Sequence, residues 1–178
     1  MDRYMIILGS PGSGKSTIAS AIAQKYTAQL VSCGDLYRMY HTDPRYSFLD
    51  EAKKLGKQNW IDSLKRFIMI ALKDHIQALP SPKTVVVEGL WLDNLAEFQS
   101  QIGPISQTYY VQIKPATAKQ RLLKRGRKDD HKRKIDQRVD RYFSAENELF
   151  KELEGLNYRV VDNNQTQDQA LAQALSLF

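Results

Sequence analysis

Eight residues near the amino terminus, from Gly9 to Ser16, follow the pattern G-x-x-x-x-G-K-S, which is typical of loops that bind phosphate groups. Glycines let backbone N–H groups turn towards a polyphosphate, and a helix that begins there adds the positive end of its dipole. Lys15 supplies a mobile cation for the β- and γ-phosphates, and the Ser16 hydroxyl suits Mg²⁺. A chance glycine-rich turn is the alternative, but the strand and helix patterns on either side favour a phosphate loop. We expect the phosphate groups to contact Gly9, Ser10, Pro11, Gly12, Ser13, Gly14, Lys15, Ser16 and Thr17.

An acidic residue at the end of a buried strand is the second candidate for this chemistry. The β-branched run 84–87 is typical of a central strand buried on both faces, and Glu88 follows it. In proteins with a phosphate loop such a carboxylate commonly orients Mg²⁺ or its water, whereas helix capping is the alternative role. The shorter run 29–32 leads to Asp35 and Arg38, at the carboxyl edge where open α/β sheets bind ligands. Asp35 is also a plausible N-cap for the next helix.

Residues 114–141 make the chain basic. They contain twelve Lys or Arg and four Asp, a net charge of +8, whereas the whole sequence has a net charge of +6. Such a segment binds nucleic acid, faces a polyphosphate or forms a solvated helix surface. Nucleic acid is disfavoured, because aromatic residues are not interleaved with the charges as base stacking requires.

The candidate site residues lie between short apolar runs typical of strands and longer segments with helical spacing. The strands are expected at 5–8, 29–32, 84–88, 108–113 and 158–161. The helices are expected after the phosphate loop, with apolar spacing from Ile18 to an end near Ala28, and at 44–55, 60–79, 94–102, 115–125, 132–153 and 167–178. Parallel neighbours need crossover helices, so the alternation predicts an α/β protein of the P-loop NTPase fold, with a five-stranded parallel sheet and helices on both faces. We expect 178 residues to form one domain.

Composition narrows the class of protein and its location. The chain has no apolar run as long as a membrane span, and its first residues lack the pattern of a signal peptide. The single cysteine, Cys33, excludes an internal disulfide and a zinc site built from cysteines. We therefore expect a cytoplasmic protein with no membrane partner. We also expect a monomer.

Taken together, the motifs resemble the adenylate kinase family of nucleoside monophosphate kinases over nearly the whole chain. The likeness rests on 9–17, Ser32-Cys-Gly-Asp-Leu-Tyr-Arg38, Leu55-Gly-Lys57, Arg121, Arg125 and Gly126-Arg-Lys-Asp-Asp130, with Arg138 eleven residues after Arg127. The resemblance implies that five cations surround the transferring phosphoryl group: Lys15, Arg121, Arg125, Arg127 and Arg138. It also implies that Arg38, with Asp35 and Gly89, binds the acceptor. A helical acceptor-binding insert at about 34–79 and a short lid at about 126–131, which would close to exclude water, complete the implied domain.

The acceptor side departs from the family pattern. Where the family has Asp-Gly-aromatic-Pro-Arg, this chain has Glu88-Gly-Leu-Trp91-Leu92, so a carboxylate is kept and an arginine is lost. Ala96 stands where the family has a glutamine that reads adenine. We expect a trans peptide bond before Trp91, because a cis bond before a non-proline residue costs about 2.5–4 kcal/mol. Arg45 is a candidate to replace the missing charge from another direction.

The leading prediction is a phosphotransferase that uses ATP and Mg²⁺, with Ser16 and Glu88 as metal ligands. By the family resemblance, its acceptor is a nucleoside monophosphate. The missing arginine and glutamine favour a second hypothesis, a kinase on the same scaffold with a non-nucleotide acceptor. A third hypothesis is an ATP-binding protein that engages RNA or a protein partner through residues 114–141.

Overall fold

The computed structural model describes residues 3–80, 84–126, 131–144 and 146–177, and its centre is a five-stranded sheet. The strands are β1 (Arg3–Gly9), β2 (Gln29–Ser32), β3 (Thr84–Glu88), β4 (Ile105–Gln112) and β5 (Tyr158–Asp162). They lie in the order β2-β3-β1-β4-β5, and every neighbouring pair is parallel, which confirms the predicted sheet. From β1 the chain leads to β2 and β3 on one side of this strand, and then crosses to β4 and β5 on the other side. A crevice therefore opens at the carboxyl end of β1, where the strand order reverses.

The helices lie between these strands, close to their predicted positions. They are α1 (Lys15–Lys25), α2 (Cys33–Tyr40), α3 (Phe48–Leu55), α4 (Lys57–Gln77), α5 (Leu95–Gln101), α6 (Pro115–Arg125), α7 (Lys132–Ser144), α8 (Glu146–Glu154) and α9 (Gln167–Ser176). Two 3₁₀ turns, Pro44–Tyr46 and Leu92–Asn94, precede α3 and α5. Among the helices of the described ranges, none has both the length and the apolar character needed to cross a bilayer.

Side chains of the sheet alternate between two apolar cores, because successive residues of a strand point to opposite faces. Met5 and Ile7 of β1 pack in one core with residues of α1 and α9, such as the buried Ile18. Ile6 packs in the other core with residues of α2, α3, α4 and α5, such as the fully buried Phe67. Helices therefore cover both faces of the sheet, as predicted.

The acceptor-side helices begin at different residues from those predicted. The segment predicted as one helix at 44–55 starts with a 3₁₀ turn, and α3 begins only at Phe48. α4 begins at Lys57 instead of Trp60, because Gly56 (φ 108°) ends α3 and its carbonyl oxygen accepts the Trp60 N–H at 3.0 Å. The first turn of α4 is exposed on all sides, so apolar periodicity could not reveal it.

Two other helix boundaries also differ from the prediction. α1 ends at Lys25 rather than near Ala28, because Thr27 takes a left-handed conformation (φ 50°) and the Ala28 N–H donates to the Ala23 carbonyl oxygen at 2.8 Å. The segment predicted as one helix at 132–153 contains α7 and α8, on either side of residue 145, which lies outside the described residues.

Candidate active site

The phosphate loop joins β1 to α1 and is held by its own backbone. Gly14 is the N-cap of α1 with a φ of 85°, a left-handed conformation that favours glycine. The Ser13 N–H donates to the Ser10 carbonyl oxygen at 3.1 Å, and both serines are buried. The Lys15 ammonium donates to the same Ser10 oxygen at 3.3 Å. The structure therefore keeps this cation over the loop, where the sequence pattern predicts it.

Asn163, which directly follows β5, holds the phosphate loop in place by a hydrogen bond; we call this contact the clamp. Its side-chain Nδ2 donates to the Ser13 carbonyl oxygen at 2.6 Å, and its backbone carbonyl oxygen accepts from Arg121 Nη2 at 3.0 Å. A Cβ atom at Gly14 would lie only 2.4 Å from Nδ2, so the clamp requires a glycine there. Sequence reasoning missed Asn163, although its place after a buried strand is the signal that identified Glu88.

Glu88 ends β3 and joins the phosphate loop to the acceptor side. Its Oε1 accepts the Ser16 hydroxyl at 3.2 Å and the Ser32 hydroxyl at 2.7 Å, and the residue is only 6% exposed. The predicted metal ligands Ser16 and Glu88 therefore lie together. A hydroxyl and a carboxylate are the oxygen donors that Mg²⁺ prefers, so these residues fit that ion.

The residues after Glu88 turn the chain away from β3. Gly89 has a φ of 81°, and the peptide bond before Trp91 is trans, as predicted. Trp91 is the N-cap of the 3₁₀ turn and Asn94 is the N-cap of α5. The alternative role for Glu88, capping of the next helix, is therefore wrong.

A cavity of about 360 Å³ opens beside the phosphate loop, between α1, α6 and α9. Lys15, Arg121 and Arg125 line it, together with Gln167 and Leu171 of α9. Three of the five predicted catalytic cations therefore share one cavity. Of the other two, Arg138 is half-buried on α7, and Arg127 lies outside the described residues.

Close packing of α6 on the phosphate loop brings its arginines to this cavity. A Cβ atom at Gly12 (φ 82°) would lie 2.6 Å from the carbonyl oxygen of Ala118, so a side chain there would push α6 away. Leu122 of α6 is buried against Val139 of α7, which fixes the rotation of α6. The face of α6 that carries Arg121 is therefore turned to the loop.

Another part of the basic segment forms ion pairs between helices. The Lys119 ammonium of α6 lies 2.7 Å from the Asp140 carboxylate and 3.3 Å from the Asp136 carboxylate of α7. The hydrogen bond with Asp140 raises the pKa of Lys119 above its usual range. The solvated-surface interpretation thus holds for this part of residues 114–141, while Arg121 and Arg125 face the cavity.

The acceptor side begins at α2, which is capped by Ser32 and not, as predicted, by Asp35. The Ser32 hydroxyl accepts the Asp35 N–H at 3.2 Å, because Asp35 already lies in the first turn of the helix. The Asp35 carboxylate pairs with the Arg38 guanidinium, and both are exposed. A Cβ atom at Gly34 would lie 3.5 Å from Arg38 Nη1 and 3.7 Å from Ser32 Oγ. Arg38 and the serine that contacts Glu88 therefore both border Gly34.

Comparisons with known proteins agree with this arrangement. A family model described as an AAA domain matches residues 5–163. Human adenylate kinase isoenzyme 1 is 31% identical over 152 residues, which cover 80% of this chain and 76% of the relative. The adenylate kinase of Prochlorococcus marinus (strain AS9601) is 29% identical over 174 residues, which cover 92% of this chain and 93% of the relative. The chain therefore belongs to the adenylate kinase family.

Proposed function

We propose that the chain transfers the γ-phosphoryl group of ATP to the phosphate of a nucleoside monophosphate. The observation that carries this proposal is the position of the Glu88 carboxylate. Its Oε1 accepts hydrogen bonds from Ser16 of the phosphate loop and from Ser32, which caps the acceptor-side helix α2. One buried carboxylate thus joins the elements that would hold the two substrates.

On the donor side, residues 9–17 would surround the triphosphate, and the cavity beside α9 would accept the rest of ATP. Backbone N–H groups and the Lys15 ammonium are suited to the phosphates. Ser16 and Glu88 would hold Mg²⁺, since their oxygens are 3.2 Å apart. When bound, Mg²⁺ neutralises charge on the β- and γ-phosphates.

In the transfer, an oxygen of the acceptor phosphate forms a bond to the γ-phosphorus, and the bond from that phosphorus to the bridging oxygen of ADP breaks. An acceptor phosphate dianion carries no proton on the attacking oxygen, so no residue has to act as a base. The protein has to position the reactants and stabilise negative charge. We assign the stabilisation of negative charge to five cations, Lys15, Arg121, Arg125, Arg127 and Arg138.

The acceptor would bind between α2, α3 and α4, which make up most of the proposed insert at about 34–79. Arg38 would hold its phosphate, with Asp35 and Gly89 beside it. We propose that residues 1–178 form a single domain and that about 126–131 form a short lid over the site. A cytoplasmic location and a monomeric state stay predictions of the sequence.

A kinase with a non-nucleotide acceptor is the second candidate. It is favoured by Leu92, which packs against the core where the family has an arginine, and by the exposed Ala96 in place of the adenine-reading glutamine. The attacking oxygen of such an acceptor is a hydroxyl, which has to lose its proton as it bonds to phosphorus. The reaction would therefore need a base to accept that proton.

The experiment that separates these functions is ADP release from ATP and Mg²⁺ with one acceptor at a time. AMP, CMP, UMP, GMP and dTMP test the proposed function, simple alcohols test the second candidate, and RNA tests the third hypothesis of the sequence. Release that depends on a monophosphate and yields the diphosphate supports the proposal. Release only with an alcohol, or hydrolysis stimulated only by RNA, would overturn it.

A further inference from the structure

Leu92 leaves the acceptor side without the cation that the family pattern has at that position. The side chain is apolar and packs against the large core. The residue opens the 3₁₀ turn that leads into α5. If the acceptor is a monophosphate, as the proposed function requires, Arg38 is left without a second cation beside the phosphate unless another element supplies one.

Arg45, the substitute suggested by the sequence, is directed elsewhere. Its guanidinium Nη2 lies 2.9 Å from the Asp43 carboxylate, and its Nη1 lies 3.7 Å from the Asp74 carboxylate of α4. Asp74 is nine residues beyond Lys65 on α4, which places it about 13.5 Å further along the helix axis. Arg45 thus contacts a different part of α4 from the residues around Leu92.

Lys65 of α4 contacts the two residues that flank Leu92 in the sequence, Trp91 and Asp93. Its ammonium pairs with the Asp93 carboxylate and lies 5.4 Å from the centroid of the Trp91 ring. The Lys65 side chain is 24% exposed, whereas Asp93 is 57% exposed. The cation is therefore held between an aromatic face and a carboxylate that solvent, or an anionic ligand, can reach.

We propose that Lys65 supplies a second cation for the acceptor phosphate, in addition to Arg38 and in place of the arginine that Leu92 replaces. Trp91 holds the ammonium by a cation–π contact, and the tryptophan occurs where the family has proline. Asp93 is the counter-ion in the absence of acceptor, and a phosphate dianion competes with it for the ammonium. This inference rests on the proposed function, because only an acceptor with a phosphate needs that charge.

A surface ion pair without function is the alternative explanation, and exposed pairs of this kind contribute little to stability. The two explanations differ in what they predict for ligand binding. A cation that binds phosphate affects a monophosphate and spares the matching nucleoside. A merely structural contact affects both ligands alike, or neither.

The test compares Lys65→Met and Lys65→Arg with the wild-type protein in calorimetric binding of AMP, CMP, UMP, GMP and dTMP and of their nucleosides. We expect Lys65→Met to weaken binding of the preferred monophosphate about ten- to a hundredfold, the value of a charge-assisted hydrogen bond. Affinity for ATP and for the nucleoside should stay unchanged. Lys65→Arg should keep most of the affinity, and Asp93→Asn should strengthen phosphate binding because it removes the competing carboxylate.

Lys53 provides a matched control within the same chain. Its ammonium pairs with the Asp50 carboxylate at 2.8 Å and lies 5.0 Å from the centroid of the Trp60 ring, so it has the same kinds of partner. Because Lys53 lies on α3, Lys53→Met should leave the ratio of monophosphate affinity to nucleoside affinity unchanged, whereas Lys65→Met should lower that ratio. Adding Leu92→Arg to Lys65→Met should restore binding, because it returns a guanidinium to the position where the family pattern has an arginine.

The outcomes separate this inference from the proposed function. Turnover of wild-type protein with a monophosphate, together with unchanged binding in Lys65→Met, would overturn the role of Lys65 alone. An equal loss of nucleoside and monophosphate binding would also overturn it, in favour of a structural role. If the wild-type protein phosphorylates none of the five monophosphates, the proposed function fails and this inference fails with it.

Discussion

The clamp between Asn163 and the phosphate loop predicts a specific coupling between two substitutions. Gly14→Ala introduces a Cβ atom 2.4 Å from Asn163 Nδ2, more than 1 Å closer than the optimal separation of about 3.5–4.0 Å. Overpacking of this kind costs about 1–3 kcal/mol, and the left-handed φ of 85° adds about 1–2 kcal/mol for any residue other than glycine. We therefore expect Gly14→Ala to lower the free energy of unfolding by about 2–5 kcal/mol.

Asn163→Ala removes the atom that causes the clash and leaves the backbone strain. On its own it should cost about 1–3 kcal/mol, because the Ser13 carbonyl oxygen loses its donor. In the Asn163→Ala background, Gly14→Ala should then cost only the strain, about 1–2 kcal/mol. The double variant should be more stable than the sum of the single effects by about 1–3 kcal/mol.

Urea unfolding of the four proteins in this cycle measures the coupling. Gly12→Ala is the matched control, because its Cβ atom would meet the Ala118 carbonyl oxygen at 2.6 Å and not Asn163. Its cost should be the same in the wild-type and Asn163→Ala backgrounds. Additive effects of Gly14→Ala and Asn163→Ala would refute the clamp as the reason for glycine at position 14.

Four further predictions concern single residues. Lys15→Ala should abolish phosphoryl transfer with little change in the thermal unfolding midpoint, since the side chain caps a loop carbonyl and fills no core; retained turnover would contradict the phosphate-loop assignment. Arg38→Ala should raise KM for the acceptor about tenfold or more and spare ATP affinity, and equal loss of both ligands would show a different role. Arg138→Ala should lower kcat strongly with a smaller effect on acceptor KM, while Arg133→Ala, at an exposed position of the same helix, should not. Burial raises the pKa of the Cys33 thiol, with a further contribution from the nearby Glu88 charge, so iodoacetamide at pH 9 should label the protein only after unfolding.

Local patterns were sufficient to predict most of the fold. The alternation of apolar runs with helical spacing gave a parallel sheet, because the strands are short, buried and joined by crossover helices. The errors occurred where a local backbone conformation outweighs periodicity. Thr27 takes a positive φ value that ends α1 early, and such a value cannot be read from apolar spacing. The end of α3 at Gly56 was predicted, but the exposed first turn of α4 directly after it was not.

The candidate site was predictable where a local sequence pattern or the family resemblance marks its residues. The phosphate loop is such a segment, since eight consecutive positions build its backbone. Glu88 was found because a carboxylate after a buried strand is unusual in an apolar context. The contact of Asn163 with Ser13, and those of Lys65 with Trp91 and Asp93, were missed, since no local pattern marks these residues.

A chain of hydrogen bonds gives Ser32 a role that neither half of the site explains alone. Its hydroxyl accepts the Asp35 N–H at the start of α2 and donates to Glu88 Oε1, which also accepts the Ser16 hydroxyl. A movement of α2 towards an acceptor therefore changes the hydrogen bonding of a proposed metal ligand. On the donor side, the buried Asn163 side chain donates to the Ser13 carbonyl oxygen of the phosphate loop. The proposed acceptor-side cations, Arg38 and Lys65, are instead paired with exposed carboxylates. Acceptor preference can thus change through exchangeable ion pairs while the phosphate loop keeps its geometry.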